Sequence, residues 1–422
     1  MRKWFKILFV ILTICKIVNA EIKCNVVGKF RKDLLCNSID NNDTTLKKEL
    51  LLNKDRTTQI ILKGCHLINI EEGSFNQFSS LKTLDISQNK LTYINNEIFN
   101  ETKELTHLNI SQNALQELAP GTFEHTPNLE VLDLQENEIA NIEDGLFDNL
   151  QNLKQLYLSN NLIIGKLLHP NTFLMPKNVE YLDLSGNDMS ESNENLLKDL
   201  NILDTLLLEG CYLTEIPDFC SKNNLETLTQ LNLSRNRITQ IDSNVFKYLK
   251  NMQVLNLNEN SISEIREDVF KPMLKLKILQ IRYNKIKSLP ETAFQDLKKL
   301  GNIDLSHNEI EYIPTNAFKG TSLKNLNLSD NKFTYLINNF CLELSNFGVK
   351  LSKLYFNDNP WQCACLHEII AEVKRLNIEY SAAKYNGQQP ICVLGDQYTC
   401  KRHSSDNEYF VSLYENVIKG KA

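Results

Sequence analysis

Apolar residues in this chain recur with a period of 24 positions, far longer than the repeat of any single helix or strand. Copies start at Leu81, Leu105, Leu129, Leu153, Val179, Leu203, Leu228, Met252, Leu276, Leu300, Leu323 and Leu351. Each reads L-x-x-L-x-L-x-x-N-x-L, as in Leu129, Leu132, Leu134, Asn137 and Ile139. A degenerate first copy carries Ile60, Leu62, Cys65 and Leu67. A period of this length predicts a solenoid in which every copy is one coil and stacked neighbours bury a shared core.

The columns of the repeat each have a physical reading. The L-x-L pair alternates with period two, so it belongs on a short strand with both leucines turned inward. One such strand per coil predicts a parallel sheet. At the ninth position the chain turns inside a dry interior, where backbone groups need partners. An asparagine amide both donates and accepts, and Asn89, Asn113, Asn137, Asn161, Asn187, Asn236, Asn260, Asn284, Asn308, Asn331 and Asn359 fill that column. Cys65 and Cys211 substitute there. Further along each copy a phenylalanine recurs (Phe75, Phe99, Phe123, Phe147, Phe173, Phe246, Phe270, Phe294, Phe318), and we assign these rings to core packing on the convex side. Two copies are long, with 26 residues from Leu153 to Val179 and 28 from Leu323 to Leu351. The extra residues are expected to bulge away from the strands.

The ends bear on compartment. Arg2, Lys3 and Lys6 precede an apolar run from Ile7 to Cys15, and Val18, Asn19 and Ala20 follow, which is the layout of a secretory signal peptide cleaved after Ala20. The run stops well short of the ~20 residues that span a bilayer. No later segment is apolar enough to cross, and the end, Lys419-Gly420-Lys421-Ala422, matches no lipid-anchor or retention signal. The expected boundaries are 1–20 for the signal peptide, 21–57 for an N-terminal cap, 58–359 for about 13 repeats, 360–401 for a C-terminal cysteine cap and 402–422 for a polar tail. A net charge of −6 with both signs interspersed leaves no basic stripe for nucleic acid.

From Lys54 to about Lys401 the chain resembles the extracellular leucine-rich-repeat proteins, whose members include Toll-type receptor ectodomains, the Slit group and the acid-labile subunit of growth-factor complexes. The resemblance implies an α/β leucine-rich-repeat solenoid, a horseshoe with a parallel sheet on its concave face and cysteine-bridged caps. Pro360, Trp361, Cys363, Cys365, Cys392 and Cys400 are similar to that family's C-terminal cap, which implies the pairs Cys363–Cys392 and Cys365–Cys400. Cys24 and Cys36 are the counterpart at the other end, a reduced version of a cap that often carries four cysteines. A zinc site combining the C-terminal cysteines with His367 is the rival reading, and an oxidising compartment favours disulfides. Cys220 and Cys341 lie five copies apart, about 24 Å at ~4.8 Å per strand, too far to bridge each other. Either both are buried thiols or one reaches another chain; we favour burial.

The concave face is the expected binding surface. The position between the two leucines is normally Asp or Asn, as at Asp85, Asn109, Asp133, Asp183, Asn232, Asn256, Asp304 and Asn327. Tyr157 and Leu207 depart from that default, and Val131, Tyr181 and Thr205 stand two positions earlier in their strands. These residues are expected to form one aromatic–aliphatic patch rimmed by Asp133, Glu136, Asp183 and Glu209, suited to a protein ligand. A weaker cluster comprises Val254, Ile278, Arg282 and Tyr283. Sequons at Asn42, Asn100, Asn109, Asn232 and Asn327 are candidate glycosylation sites, the last three generated by the repeat itself.

Enzyme signatures are missing from the sequence. Seven scattered histidines show no metal-ligand spacing, no G-x-S-x-G or phosphate loop occurs, and no cofactor is implied. His307 beside Asp304 and Ser306 is triad-like only on paper, because all three are repeat positions. The expectation is a secreted binding protein with an extracellular protein ligand, an immune recognition factor or a receptor-like decoy. A structural or adhesive matrix component, assembled by multivalent or disulfide contacts, is the second class.

Overall fold

The structure is a computed structural model that describes residues 22–27, 32–38, 42–51, 54–386, 391–394, 399–403 and 407–418. The expected signal segment, 1–20, lies outside the described residues, as do positions 419–422. The chain divides into two compact units, Met1–Val179 and Glu180–Ala422.

In the first unit the strands are β1 (Ile22–Val27), β2 (Asp33–Ser38), β3 (Thr44–Leu46), β4 (Gln59–Ile61), β5 (Leu67–Ile70), β6 (Thr83–Asp85), β7 (His107–Asn109), β8 (Val131–Asp133) and β9 (Gln155–Tyr157). β1 and β2 are an antiparallel hairpin in which Cys24 and Cys36 face each other and are bonded. β2 then pairs in parallel with β4, and the ladder continues through β6, β7, β8 and β9. β3 and β5 make a separate parallel pair. In the second unit β10 (Tyr181–Asp183), β11 (Thr205–Leu207), β12 (Gln230–Asn232), β13 (Val254–Asn256), β14 (Ile278–Gln280), β15 (Asn302–Asp304), β16 (Asn325–Asn327) and β17 (Lys353–Tyr355) pair in parallel, each with the next. Each unit is therefore a parallel-strand solenoid, as the repeat predicts.

The repeat strands are three residues long because only x-L-x is extended. In β8 the central Leu132 is fully buried while Val131 and Asp133 face outward, and Leu134, just past the strand, is buried again. The turn that follows brings the residue before the column asparagine into the left-handed region, with φ of 53° at Gln112 and 54° at both Tyr283 and His307. The asparagine then does what its chemistry allows. In the first unit Asn113 Nδ2 donates to the carbonyls of Ile86, Ile110 and Ser111 at 3.1, 3.0 and 3.2 Å, while its Oδ1 accepts from Leu91 N–H at 3.0 Å. In the second, Asn284 repeats the set with Leu257, Ile281, Arg282 and Ile262. Cys211 covers part of this task, its Sγ lying 3.3 Å from the Leu184 carbonyl. Gly210 precedes it with φ 64° and Tyr212 follows with φ 59°, so the cysteine-type coil turns through a second left-handed residue.

The phenylalanine column forms ring-on-ring pairs, stacked at Phe99–Phe123 and Phe147–Phe173 in the first unit and from Phe246 through Phe270 to Phe294 in the second, where Phe318 adds a tilted ring, at 5.7–6.3 Å between centroids. Ring against ring buries large apolar area without a polar group to satisfy. Both length departures lie outside the strands. The first holds the 3-10 turn Gly165–Leu167, and the second holds helix α1 (Phe340–Asn346).

At the C-terminus helix α2 (Cys363–Arg375) closes the last coil. Trp361, fully buried, donates from Nε1 to the Phe356 carbonyl at 2.8 Å and stacks on Phe333. The bonds Cys363–Cys392 and Cys365–Cys400 are those implied by the family resemblance, and with all four cysteines bridged the zinc alternative loses its thiolate ligands. Residues 407–418, read from sequence as part of a polar tail, form helix α3 (Asn407–Leu413) and one wider turn. Phe410 and Tyr414 pack with Val393, and Thr334 Oγ1 donates to Asn407 Oδ1 at 2.5 Å. This short apolar stripe escapes a reading based on overall composition.

Candidate binding surfaces

The outer face of each sheet carries the sequence-selected residues, and their hydrogen bonds separate structural roles from available ones. The Asp/Asn column beside the core leucines is an Asx turn at the strand end. Asp85, Asn109 and Asp133 in the first unit accept from the N–H two residues on at 2.9–3.1 Å. Asp183, Asn232, Asn256, Asp304 and Asn327 do the same in the second, over the same distances. A short carboxylate or amide is selected there for local backbone satisfaction. Asp133 and Asp183 are thus committed to the fold.

Tyr157 and Leu207 cannot make this bond. Leu207 has a substitute, because Ser185 Oγ in the preceding coil accepts from Glu209 N–H at 3.1 Å. In the first unit Val131 and Tyr157 are half-buried on the adjacent strands β8 and β9, in which Asp133 lies opposite Tyr157. The Tyr157 hydroxyl donates to Gln155 Oε1 at 3.1 Å. In the second unit Tyr181 and Leu207 are half-buried on β10 and β11, where Asp183 lies opposite Leu207. The nine expected patch and rim residues therefore divide between the units, Val131, Asp133, Glu136 and Tyr157 in one and Tyr181, Asp183, Thr205, Leu207 and Glu209 in the other.

Two of these expectations need correcting. Thr205 is buried, at 7% exposure, because this short side chain is flanked in register by Tyr181 and Gln230. Its hydroxyl donates to Asp204. Glu209 is not a free acidic rim, since its carboxylate is 3.0 Å from Arg235 Nη1 and accepts from Asn232 Nδ2 at 3.1 Å. Arg235 also reaches Glu259 at 3.1 Å, and hydrogen bonding to Glu259 with the charge of both carboxylates pushes the guanidinium pKa up.

Sequence reasoning missed the neighbouring cleft, about 320 Å³ in volume and lined by Gly210, Tyr212, Arg235, Asn236, Arg237 and Glu259. Its residues occupy the columns on either side of the turn asparagine, and aligning those columns across coils was the signal that could have found them. In the weaker cluster Val254 and Ile278 are register neighbours, and Arg282 lies over the Tyr283 ring at 5.1 Å. Tyr283 stacks on His307 at 4.0 Å. His307 Nδ1 is 2.5 Å from Asp330 Oδ2, while Ser306 Oγ donates to Asp304 at 2.6 Å. The trio is thus no relay, because the hydroxyl bonds directly to Asp304 while the imidazole turns away to Asp330.

The remaining cysteines among the described residues, Cys65, Cys211, Cys220 and Cys341, are unbonded and buried. Burial pushes the thiol pKa up to about 11 at Cys65 and to about 12 at Cys211 and Cys220, and raises that of Cys341 as well. Of the sequon asparagines, Asn42 and Asn100 are exposed, whereas Asn109, Asn232 and Asn327 are half-buried on strands with Oδ1 engaged. No helix among the described residues is long and apolar enough to cross a membrane.

Comparison with known proteins agrees with this construction. The leucine rich repeat family model matches residues 55–115, 103–163, 226–286 and 274–333, together just over half of the chain. No curated protein matches the sequence. Among solved structures, a leucine-rich-repeat protein of Leptospira interrogans is 25% identical with a TM-score of 0.67, covering 80% of this chain and 83% of that one. The TLR13 chain of a TLR13–ssRNA13 complex is 28% identical with a TM-score of 0.65; the match covers 76% of this chain but only 46% of that one. A chain of the LRIM1/APL1C complex shares the fold at 21% identity and a TM-score of 0.63, with 90% and 68% covered. Matched over more than half its length by that family and coiled as the repeat demands, the chain belongs to the leucine-rich-repeat family.

Proposed function

We propose that this is a secreted, non-catalytic binding protein that recognises a protein ligand on the outer faces of its repeat sheets. One observation carries the reading. Tyr157 and Leu207 stand in a column whose ordinary residue is needed for the strand-end hydrogen bond, and each replaces it with a large side chain left half-exposed. Packing does not call for that exchange, whereas an interface uses such side chains as anchors. Tyr181 beside Leu207, and Val131 beside Tyr157, extend the anchor in their respective units. The N-terminal pattern of basic, apolar and small residues and the three disulfides support secretion. The likeness to a TLR13 chain supports a recognition factor or receptor-like decoy. A net charge of −6 favours protein over nucleic acid as the ligand.

The test is a screen of the secreted protein, its mature end checked for Glu21, against an array of extracellular proteins. Y157A and the double variant Y181A/L207A are run in parallel. A ligand whose binding falls about tenfold or more in either variant supports the reading, as expected for a buried aromatic anchor. A ligand held equally by all three proteins refutes it.

A further inference from the structure

We propose that the turn edge of the second unit, from Tyr212 to Lys285, seats an acidic segment of a protein partner, with its carboxylates on Arg237, Arg282 and Lys285. This rests on the protein-binding reading above and names the chemistry of the partner and the edge it meets. Tyr212, left-handed at φ 59°, holds its ring out at 50% exposure, and the Arg237 guanidinium lies 5.1 Å from the ring centroid beside the 320 Å³ cleft. The left-handed backbone alone is not the signal, because His66 after Cys65 shares it. The signal is that a guanidinium lies on a tyrosine face a second time, between chain neighbours, with Arg282 at 5.1 Å from the Tyr283 ring and Tyr283 backed by His307. A guanidinium laid on an aromatic face is held in place while its in-plane N–H groups stay open to a carboxylate, which they bind in bidentate fashion.

Four carboxylates along this edge are already engaged. Glu209 and Glu259 are on Arg235, Asp330 on His307 and Glu309 on Lys332. Arg237, Arg282 and Lys285 form no ion pair among the described residues, and Arg282 Nε is buried without an acceptor. An acidic chain thus presents a local excess of fixed positive charge, and an acidic partner complements it. Arg237 and Lys285 occupy the same column two coils apart, ~10 Å at the usual strand spacing, which is also about the rise of three residues in an extended peptide. The fitting partner is an extended segment with acidic residues at every third position.

The experiment is fluorescence anisotropy of labelled Glu-Gly-Ser-Glu-Gly-Ser-Glu with the full secreted protein, against the same peptide with Gln for Glu. The expected result is binding of the Glu peptide alone, weakened as salt rises from about 50 to 200 mM. R237E/K285E and R282E should each weaken it about tenfold, with R237Q and R282Q as substitutes should charge reversal impair folding, and Y181A/L207A should leave it unchanged. Equal binding of both peptides, or variants that bind as tightly as the parent, overturns the proposal. So does heparin displacing the peptide at lower charge concentration than free Glu peptide, which would mark a sulfated-glycan site. Failure here leaves the sheet-face result standing, and loss of the sheet-face result leaves this one standing.

Discussion

Asparagine and aspartate recur in two columns that look alike on paper and differ in what they hold. Asn284 satisfies three carbonyls and one N–H in the interior between coils, whereas Asp304 satisfies the Ser306 N–H and hydroxyl at a half-exposed strand end. N284A leaves buried backbone groups unpaired and is expected to cost roughly 2–4 kcal/mol, against about 0.5–1.5 for D304A. Urea unfolding measures both; equal losses would mean that water replaces the amide. The buried thiols act in the opposite sense to paired carboxylates. With folded-state pKa values raised to about 11 and about 12, Cys65, Cys211 and Cys220 stay protonated when an unfolded chain would ionise. Their contribution is present below the ordinary thiol pKa and is lost as pH rises from about 9 toward 12. Stability should therefore decline over that range, and a thiol reagent at pH 8 should label none of the four until denaturant is added. Rapid labelling of the native protein would contradict their burial.

At the scale of elements, strands, turns and the phenylalanine spine were legible because each is written in residues of one coil or in columns that repeat. The C-terminal helix α3 was not, since Phe410 and Tyr414 become core only against Val393 and the bridged cap. F410A is expected to lower stability by about 3 kcal/mol and to open the end of the chain to protease. An unchanged melting temperature and an unchanged digest would show that α3 contributes nothing. The long copy from Leu323 to Leu351 keeps β16 and β17 in register because its extra residues go into α1, where no ladder bond is interrupted.

For the whole molecule, the question open in the sequence was whether an odd thiol joins two chains. Cys220 and Cys341 are both buried, so a covalent dimer through either requires local unfolding. Size-exclusion chromatography with light scattering should therefore give the same mass with and without reductant. A reductant-sensitive dimer would restore the assembled, adhesive reading. Peptide mapping should likewise find glycan first at Asn42 and Asn100, whose side chains are exposed.

The sequence by itself determined the solenoid, the asparagine ladder and the aromatic spine, because each depends on a residue type recurring at fixed spacing, while the C-terminal cap pairs were implied by the family resemblance. The tertiary structure alone decided which surface residues are free. Thr205 is covered by side chains of the neighbouring coils, Glu209 is held by an arginine 26 residues on, and His307 turns to Asp330 rather than to its sequence neighbours. Those pairings run between coils, where side-chain reach and packing choose among several candidates at similar distance. A periodic sequence names the candidates without choosing between them.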